Sequence, residues 1–225
     1  MTAIHLNRRE FLKASAAAGA GLTLGFYLPR SLAQMAGPGK TAGDVAASSF
    51  APNAFVRIGA DNSVTVMAKH VEMGQGSYTG LATLVAEELD ADWVKVKVEG
   101  APADAKLYNN LLWGPVQGTG GSSAIANSYE QLRKAGATAR AMLVAAAAEQ
   151  WKVPAEEITV KRSVVMHGSR KASFGQLAKK AAALPVPTDV KLKDPKDFRY
   201  IGKQIPRKDS KAKTNGTARF TIDMK

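Results

Sequence analysis

The feature that most constrains this chain is a loop of glycines that joins a strand pattern to a helix pattern. Residues 63–68 alternate apolar and polar side chains, which predicts a half-buried strand, and residues 78–91 place leucine and valine at helical spacing. Gly74, Gln75 and Gly76 lie between the two patterns. Glycines let backbone N–H groups approach a ligand closely, and a helix N-terminus attracts anions. A tight turn without a ligand would use the same glycines, so this loop alone leaves both interpretations open.

A second loop of the same kind ends the long irregular segment 100–121. It begins at Gln117 and continues through Thr119, Gly120, Gly121, Ser122 and Ser123, directly before a helix pattern over residues 124–151. Glycines permit a nest of backbone N–H groups, and hydroxyl side chains bind phosphate oxygens or cap the helix. Two such loops in one domain predict a site for a large anionic ligand.

The remaining periodicity predicts an α+β fold. It consists of a strand–loop–helix–strand unit, a long packed helix, and smaller strands and a helix after it. The predicted elements are a hairpin over 54–58 and 63–68, a strand over 93–99, strands at 158–160 and 164–166, and a helix that Ser173 caps.

The N-terminus has the pattern of an export signal. Arg8 and Arg9 precede Phe11, an Ala/Gly-rich stretch covers residues 14–28, and small residues end at Ala33. An N-terminal membrane anchor is the alternative, but the stretch is shorter than the roughly 20 apolar residues of a spanning helix. We therefore predict a twin-arginine signal peptide over residues 1–33 and a periplasmic location. A flexible leader is predicted over residues 34–51.

The metal-ligating residue types are scarce. The chain has no cysteine, and its three histidines, His5, His70 and His167, are scattered. No metal ligand is predicted, and the chain cannot hold an iron–sulfur cluster through thiolates of its own. A metal would have to arrive on a cofactor or lie in another chain.

The positive charge is concentrated at the C-terminal end. The net charge is +12, and residues 161–225 hold seventeen basic against five acidic residues. Nucleic acid, anionic lipid or an acidic partner could bind such a segment. Aromatic residues are not interleaved with these charges as a base-stacking surface requires, so nucleic acid is disfavoured. A basic arm that docks on protein is the preferred interpretation.

Familiar catalytic motifs are absent from the sequence, which contains neither G-x-S-x-G nor a G-K-[ST] phosphate loop. The acids nearest the first loop are Glu72, Glu87 and Glu88. We predict that Glu87 and Glu88 form ion pairs on the surface of their helix, and no catalytic residue is predicted.

Several motifs follow one another in a recognisable order. They are residues 72–76 with Thr79, residues 86–90, Gln117 with residues 119–123, residues 132–140, and the pattern from Lys213 to Asp223. Together they resemble the N-terminal portion of the molybdopterin-binding large subunit of the xanthine dehydrogenase/aldehyde oxidase family. The resemblance is to the isoquinoline 1-oxidoreductase beta-subunit type.

The resemblance implies a molybdenum held by a molybdopterin, expected as the cytosine dinucleotide. By resemblance, Gly74, Gln75 and Gly76 would contact the pterin near the metal. The loop from Thr119 to Ser123 would hold the pyrophosphate, and Thr79 and Gln117 complete the cofactor-binding set. The implied domains are a cofactor-binding portion over 52–184, an extended basic linker over 185–212, and the start of an a/b hammerhead-like domain over 213–225, which begins with a strand.

The family hydroxylates an aldehyde or an N-heteroaromatic ring with oxygen from water. The implied partners are a small [2Fe-2S] subunit, the remaining C-terminal part of the large subunit and a cytochrome c that accepts electrons. The family's general-base glutamate lies in that C-terminal part, beyond Asp223, so we expect this chain alone to lack hydroxylase activity. A non-catalytic module that binds a pterin nucleotide or a partner is the alternative.

Overall fold

The computed structural model describes the backbone of residues 49–224, with the side chains of residues 54–220 and 222–224. The predicted signal peptide and residues 34–48 of the predicted leader lie outside this range. The strands are β1 (Ser49–Asn53), β2 (Val56–Gly59), β3 (Val64–Ala68), β4 (Val96–Gly100), β5 (Thr159–Lys161), β6 (Val164–His167) and β7 (Arg170–Ser173). The α-helices are α1 (Ser77–Leu89), α2 (Ala105–Tyr108), α3 (Ser123–Trp151), α4 (Phe174–Ala181) and α5 (Ser210–Thr214).

The first sheet has the strand order β1-β2-β3-β4. Strands β2 and β3 form the predicted antiparallel hairpin, whereas β3 and β4 are parallel and α1 connects them. Val64 pairs with Val96 and Ala68 pairs with Gly100, so β3 and β4 end at the same edge of the sheet. The loops that follow these two strands therefore leave the sheet side by side.

The core lies between the first sheet and the two long helices. Its fully buried members include Ile58, Val64, Val66, Leu81, Val85, Leu89, Leu132 and Leu143. Helices α1 and α3 approach closely at Gly136, where an added Cβ would lie 2.5 Å from the carbonyl oxygen of Val85. The absence of a side chain at Gly136 thus permits the close packing of the two helices.

The second sheet is an antiparallel meander in the order β5-β6-β7, followed by α4. Ser173 caps α4 as predicted, and Gln176 completes a reciprocal capping box with it. The sequence interpretation missed β7, which follows β6 after a two-residue turn that contains Gly168 at φ +54°.

Two predicted boundaries are wrong at the first sheet. The leader was predicted to reach residue 51, but β1 begins at Ser49 and pairs with β2. The strand predicted from Trp93 begins at Val96, because the Asp92 side chain accepts a hydrogen bond from the Val94 N–H and closes a 3₁₀ turn. Val94 is therefore 81% exposed instead of sharing the buried face of Val96.

The strand predicted within residues 213–223 is also wrong. This segment contains the end of α5 and a 3₁₀ turn over Thr221–Asp223. Lys213 forms an ion pair with Asp209 one turn earlier, which supports the helix. A strand needs a neighbouring strand, and no described residue pairs with this segment as a ladder.

Glu87 and Glu88 are not on the surface, and the prediction of surface ion pairing is wrong. Both are almost completely buried, because residues 193–201 of the basic arm lie over them. The Glu87 carboxylate accepts hydrogen bonds from consecutive backbone N–H groups of residues 199, 200 and 201. Glu88 binds the Arg133 guanidinium at 2.6 Å and the Lys193 N–H at 2.9 Å. A local pattern cannot show such burial, since the covering segment is more than 100 residues away.

The structure confirms the α+β class. Between residues 49 and 224, none of the helices combines the length and the apolar character needed to cross a bilayer.

Candidate functional site

The two glycine loops meet at one edge of the first sheet. The first glycine loop, residues 69–76, follows β3, and the second glycine loop, residues 117–122, ends the connection that follows β4. The Val71 N–H donates to the Thr119 hydroxyl at 2.8 Å and joins the loops directly. The parallel pairing of β3 and β4 thus brings together two segments that are more than 40 residues apart in sequence.

Several backbone N–H groups in and after the first glycine loop form hydrogen bonds within the protein. The Glu72 carboxylate accepts hydrogen bonds from the N–H groups of Gly74 at 2.7 Å, Gly76 at 2.9 Å and Tyr78 at 3.1 Å. It therefore occupies the N-terminus of α1, where an external anion would otherwise bind. Burial raises the pKa of Glu72, but these N–H groups outweigh it and hold the pKa below its ordinary value.

Gln75 also turns back onto its own loop. Its side chain accepts from the Met73 N–H at 2.7 Å and donates to the Val71 carbonyl oxygen at 2.8 Å. Gly74 and Gly76 adopt φ values of +117° and +92°, which strain any other residue. The first glycine loop thus offers a surface to a ligand, while its own side chains bind the N–H groups of Met73, Gly74 and Gly76.

The second glycine loop has the opposite character. No acceptor for the N–H groups of residues 119, 120, 121 and 122 is found in the described part of the chain. Ser122, the N-cap of α3, has φ +54° and makes no side-chain capping hydrogen bond. Four such donors in sequence lie at the start of a 29-residue helix, an arrangement that attracts anions. The predicted phosphate contact at this loop stays a prediction.

A tryptophan supports the second glycine loop from behind. An added Cβ on Gly118 would lie 2.6 Å from the Trp113 ring, and one on Gly120 would lie 3.0 Å from it. A side chain at Gly118 would therefore force the ring to shift, and one at Gly120 would press against its edge. Gly121 has φ +58° and open space around it, so its backbone conformation favours glycine instead.

A buried polar cluster links the interior sides of the two loops. His70 contacts the Gly118 carbonyl oxygen through Nδ1 at 3.1 Å and the Asn127 amide through Nε2 at 3.0 Å. The carbonyl contact requires a proton on Nδ1, so neutral His70 accepts at Nε2. Asn110 donates to Gly118 and to the Ser123 hydroxyl. Burial lowers the pKa of His70, which favours this neutral form.

A cavity of about 450 Å³ opens between the loops. Tyr78, Gln117 and Thr119 are among its lining residues, together with Lys69 and His70. Lys69 is only 2% exposed and donates to Gln131 at 2.7 Å. Burial lowers the pKa of the Lys69 ammonium to about 8, and no carboxylate within the described range lies at ion-pair distance from it. The cavity wall thus has a positive group without a negative partner.

The structure brings most of the predicted site residues to this edge, in different roles. The first glycine loop contains Gly74, Gln75 and Gly76, and the second contains Gln117, Thr119, Gly120, Gly121 and Ser122. Two predicted residues lie inside the protein: Thr79 accepts from the Lys208 N–H, and the Ser123 hydroxyl donates to the Gly120 carbonyl oxygen.

Sequence reasoning missed the residues that hold the loops together, namely His70, Asn110, Trp113 and Asn127. One signal was available. His70 follows the last residues of a predicted strand and precedes the first glycine pattern, where side chains at the end of a parallel strand face a site.

Comparison with known proteins gives consistent similarities. A family model described as a molybdopterin cofactor-binding domain matches residues 5–223. The chain is 36% identical over 224 residues to the beta chain of isoquinoline 1-oxidoreductase from Brevundimonas diminuta, covering 81% of this chain. It is 34% identical over 233 residues to the membrane-bound aldehyde dehydrogenase [pyrroloquinoline-quinone] of Gluconacetobacter polyoxogenes, covering 98% of this chain.

A third relative is a nicotinate dehydrogenase subunit from Pseudomonas putida, 32% identical over 174 residues and 76% of this chain. The chain spans 29%, 28% and 14% of the lengths of these three relatives. Among solved structures, quinoline 2-oxidoreductase from Pseudomonas putida 86 matches with a TM-score of 0.43 and 20% identity, over 57% of this chain and 15% of that one.

Proposed function

The chain belongs to the molybdopterin cofactor-binding domain family, and we propose from this that it is the cofactor-holding portion of a molybdenum hydroxylase. The observation that supports the proposal most is the second glycine loop, whose N–H groups over residues 119–122 have no acceptor within the described range. A pyrophosphate supplies the acceptors that these donors lack.

The residues at the site fit such a cofactor. Thr119, Gly120, Gly121 and Ser122 would hold the pyrophosphate through their N–H groups, with the N-terminus of α3 beneath it. The cavity of about 450 Å³ lies within the usual range for small-molecule sites and opens beside these donors. Gln117 lines the cavity and is fixed by the Asp104 N–H and the Pro102 carbonyl oxygen.

The first glycine loop would contact the cofactor through its surface and not through the N–H groups of Gly74 and Gly76. Glu72 already satisfies the N–H groups of Gly74 and Gly76, so the loop would present its backbone surface and Gln75 to the pterin. Thr79 and Ser123 would contribute indirectly, because their hydroxyls hold the arm and the second glycine loop in place.

The cofactor, when bound, supplies a molybdenum centre that transfers oxygen derived from water to a carbon atom. The described residues would bind and orient this cofactor, and none of them beside it is a free base. Lys69 donates to Gln131, and both ring nitrogens of His70 make contacts, with Gly118 and Asn127. Glu72 is unsuited to accept a proton, because three N–H groups engage its carboxylate and its pKa is low. Glu87 and Glu88 lie under the arm.

The relatives are named for isoquinoline, aldehyde and nicotinate, which supports a proposal for the substrate class. We propose an aldehyde or an N-heteroaromatic substrate, with electrons leaving through a [2Fe-2S] partner subunit towards a cytochrome c. The remainder of a large subunit would complete the site, since the chain spans less than a third of each relative. The twin-arginine pattern supports a periplasmic location.

Analysis of a co-purified cofactor tests this proposal. The full chain would be purified from a bacterial host grown with molybdate, its molybdenum measured by elemental mass spectrometry, and its released small molecules identified by mass spectrometry. We expect molybdenum and a pterin cytosine dinucleotide in equal amounts. Recovery of neither, or of the quinone named for the aldehyde dehydrogenase relative, would contradict the proposal.

Activity is tested separately on the cofactor-containing chain. With an aldehyde substrate and a dye as electron acceptor, we expect no turnover, because no free base lies beside the site within the described residues. Turnover by this chain alone would show that it forms a complete hydroxylase.

A further inference from the structure

The basic arm contacts both ends of helix α1. Lys193 donates its N–H to Glu88 near the C-terminal end of α1, Tyr200 donates to Glu87, and Lys208 donates to Thr79 at the N-terminal end. As the residue number increases along the arm, its contact on the helix moves to lower residue numbers, so the two segments are antiparallel. We call residues 193–209 the docked arm.

The end of the docked arm lies against the first glycine loop. The Arg207 guanidinium donates to the Gly74 carbonyl oxygen at 3.1 Å through Nη1 and to Glu72 Oε1 at 3.4 Å through Nη2. Trp93 holds the preceding residue, because its indole N–H donates to the Pro206 carbonyl oxygen at 3.0 Å. The Lys208 ammonium lies 4.0 Å from the centre of the same indole ring.

Asp209 fixes the orientation of Arg207. The two side chains form a bidentate pair, with Nε to Oδ1 and Nη2 to Oδ2 both at 2.9 Å. Lys213 binds the same carboxylate from one turn of helix further on. The hydrogen bond from Arg207 is the main cause that holds the pKa of Asp209 well below its ordinary value. Arg207 therefore reaches the loop as a pre-oriented group.

The contact between Arg207 and Glu72 differs from an ordinary surface ion pair. Such pairs contribute little when both partners are solvated. Here the Glu72 side chain is only 4% exposed and already accepts three N–H groups of the loop. Arg207 is its cationic partner within the described residues. A buried carboxylate without a cation is costly, so Arg207 stabilises the arrangement in which Glu72 organises the loop.

We propose that Arg207, oriented by Asp209, is a positioning residue for the first glycine loop. It fixes the Glu72 carboxylate and the Gly74 carbonyl, and through them the backbone from residue 72 to residue 78. The relevance of this loop to a cofactor rests on the proposed function, whereas the positioning itself does not. The functional unit then extends to residue 209, into the segment that the sequence predicts as a linker.

Hydrogen exchange of single backbone amides in the full chain tests the inference. The variants are Arg207→Gln, Arg207→Lys, Asp209→Asn and, as a matched control in the same arm, the exposed Lys203→Gln. We expect Arg207→Gln and Asp209→Asn to speed exchange of the Gly74, Gly76 and Tyr78 amides by roughly fivefold or more, the scale of one hydrogen bond. Arg207→Lys keeps the charge but loses the two-point contact, so its effect should be intermediate.

Two results would overturn the inference. Unchanged exchange of the loop amides in Arg207→Gln would show that the contact does not position the loop. Equal acceleration of the core amides of Leu132 and Leu143 would show that Arg207 only adds to global stability. We expect both core amides and the Lys203→Gln control to exchange at wild-type rates.

Cofactor content separates this inference from the proposed function. If the wild-type chain never yields a pterin nucleotide, the proposed function is contradicted. Faster amide exchange in the first glycine loop of Arg207→Gln would still support the positioning role. If the wild-type chain holds the cofactor, we expect Arg207→Gln to retain less of it and Arg207→Lys to recover part of the loss. If Arg207→Gln retains as much cofactor as the wild-type chain and its loop amides exchange at wild-type rates, the inference is overturned.

Discussion

Replacing the buried Glu87 by glutamine should release the docked arm. Glu87 is fully buried, and its Oε2 accepts hydrogen bonds from Arg199 at 2.9 Å, Tyr200 at 2.6 Å and Ile201 at 3.0 Å. Its Oε1 lies 3.6 Å from the Lys193 ammonium. In Glu87→Gln one oxygen becomes an NH₂ group that faces either these N–H groups or the ammonium.

The expected cost follows from these contacts. Three charge-assisted hydrogen bonds become neutral ones, and each such change is worth about 1 kcal/mol, so the free energy of unfolding should fall by about 3 kcal/mol. For a domain of this size that corresponds to a melting temperature lower by about 6–12 °C. The arm should also open locally before the rest of the domain.

Urea denaturation followed by circular dichroism would measure the stability, and tryptic cleavage at Lys203 would report the release of the arm. Glu149→Gln is the matched control, because Glu149 pairs with Lys180 at an exposed position on α3. We expect the control to leave both measurements unchanged. Wild-type stability and wild-type cleavage in Glu87→Gln would refute the view that Glu87 anchors the arm.

Two further predictions concern the contacts that Trp113 and His70 make with the second glycine loop. Gly118→Ala should cost about 1–3 kcal/mol in urea denaturation, because its Cβ would lie 2.6 Å from the Trp113 ring, and most of this cost should vanish in a Trp113→Ala background; the same cost in both backgrounds would contradict the packing argument. The pKa of His70 is lowered by burial first and by Lys69 as well, so stability should fall as the pH drops from about 6.5 through the lower folded value. The fall should be absent in His70→Gln, and an identical pH profile in that variant would show that His70 does not cause it.

The local elements of this fold were largely predictable. Alternation over residues 63–68 and helical spacing after Tyr78 gave β3 and α1, and the long apolar periodicity gave α3. Such periodicity is readable from the sequence because the apolar residues of a segment mark the side that faces the core. The same reasoning failed at Val94, where a single side-chain hydrogen bond from Asp92 changed the backbone.

The contacts between distant segments were not predictable in this way. Glu87 and Glu88 have the sequence context of a solvated helix surface, and only the docked arm makes them buried. The arm was predicted from its charge to dock on protein, but charge does not show where. Backbone N–H groups of the arm make the decisive contacts, and every residue except proline has one.

The candidate site was predictable in position more than in detail. Glycine patterns before two helices located both loops, and the parallel strands placed them together. The backbone N–H groups of the two loops differ in whether they are already hydrogen-bonded. Glu72 accepts hydrogen bonds from those of the first glycine loop, whereas among the described residues no carboxylate accepts from those of the second.

The central claim is that an anion binds the second glycine loop and not the first. Titration of the isotopically labelled full chain with inorganic pyrophosphate, followed by amide resonances in two-dimensional NMR, tests it directly. We predict shifts at the amides of residues 119–122, and none at Gly74, Gly76 and Tyr78, whose N–H groups remain bound to Glu72. Shifts confined to the first glycine loop, or no shifts at residues 119–122, would contradict the account.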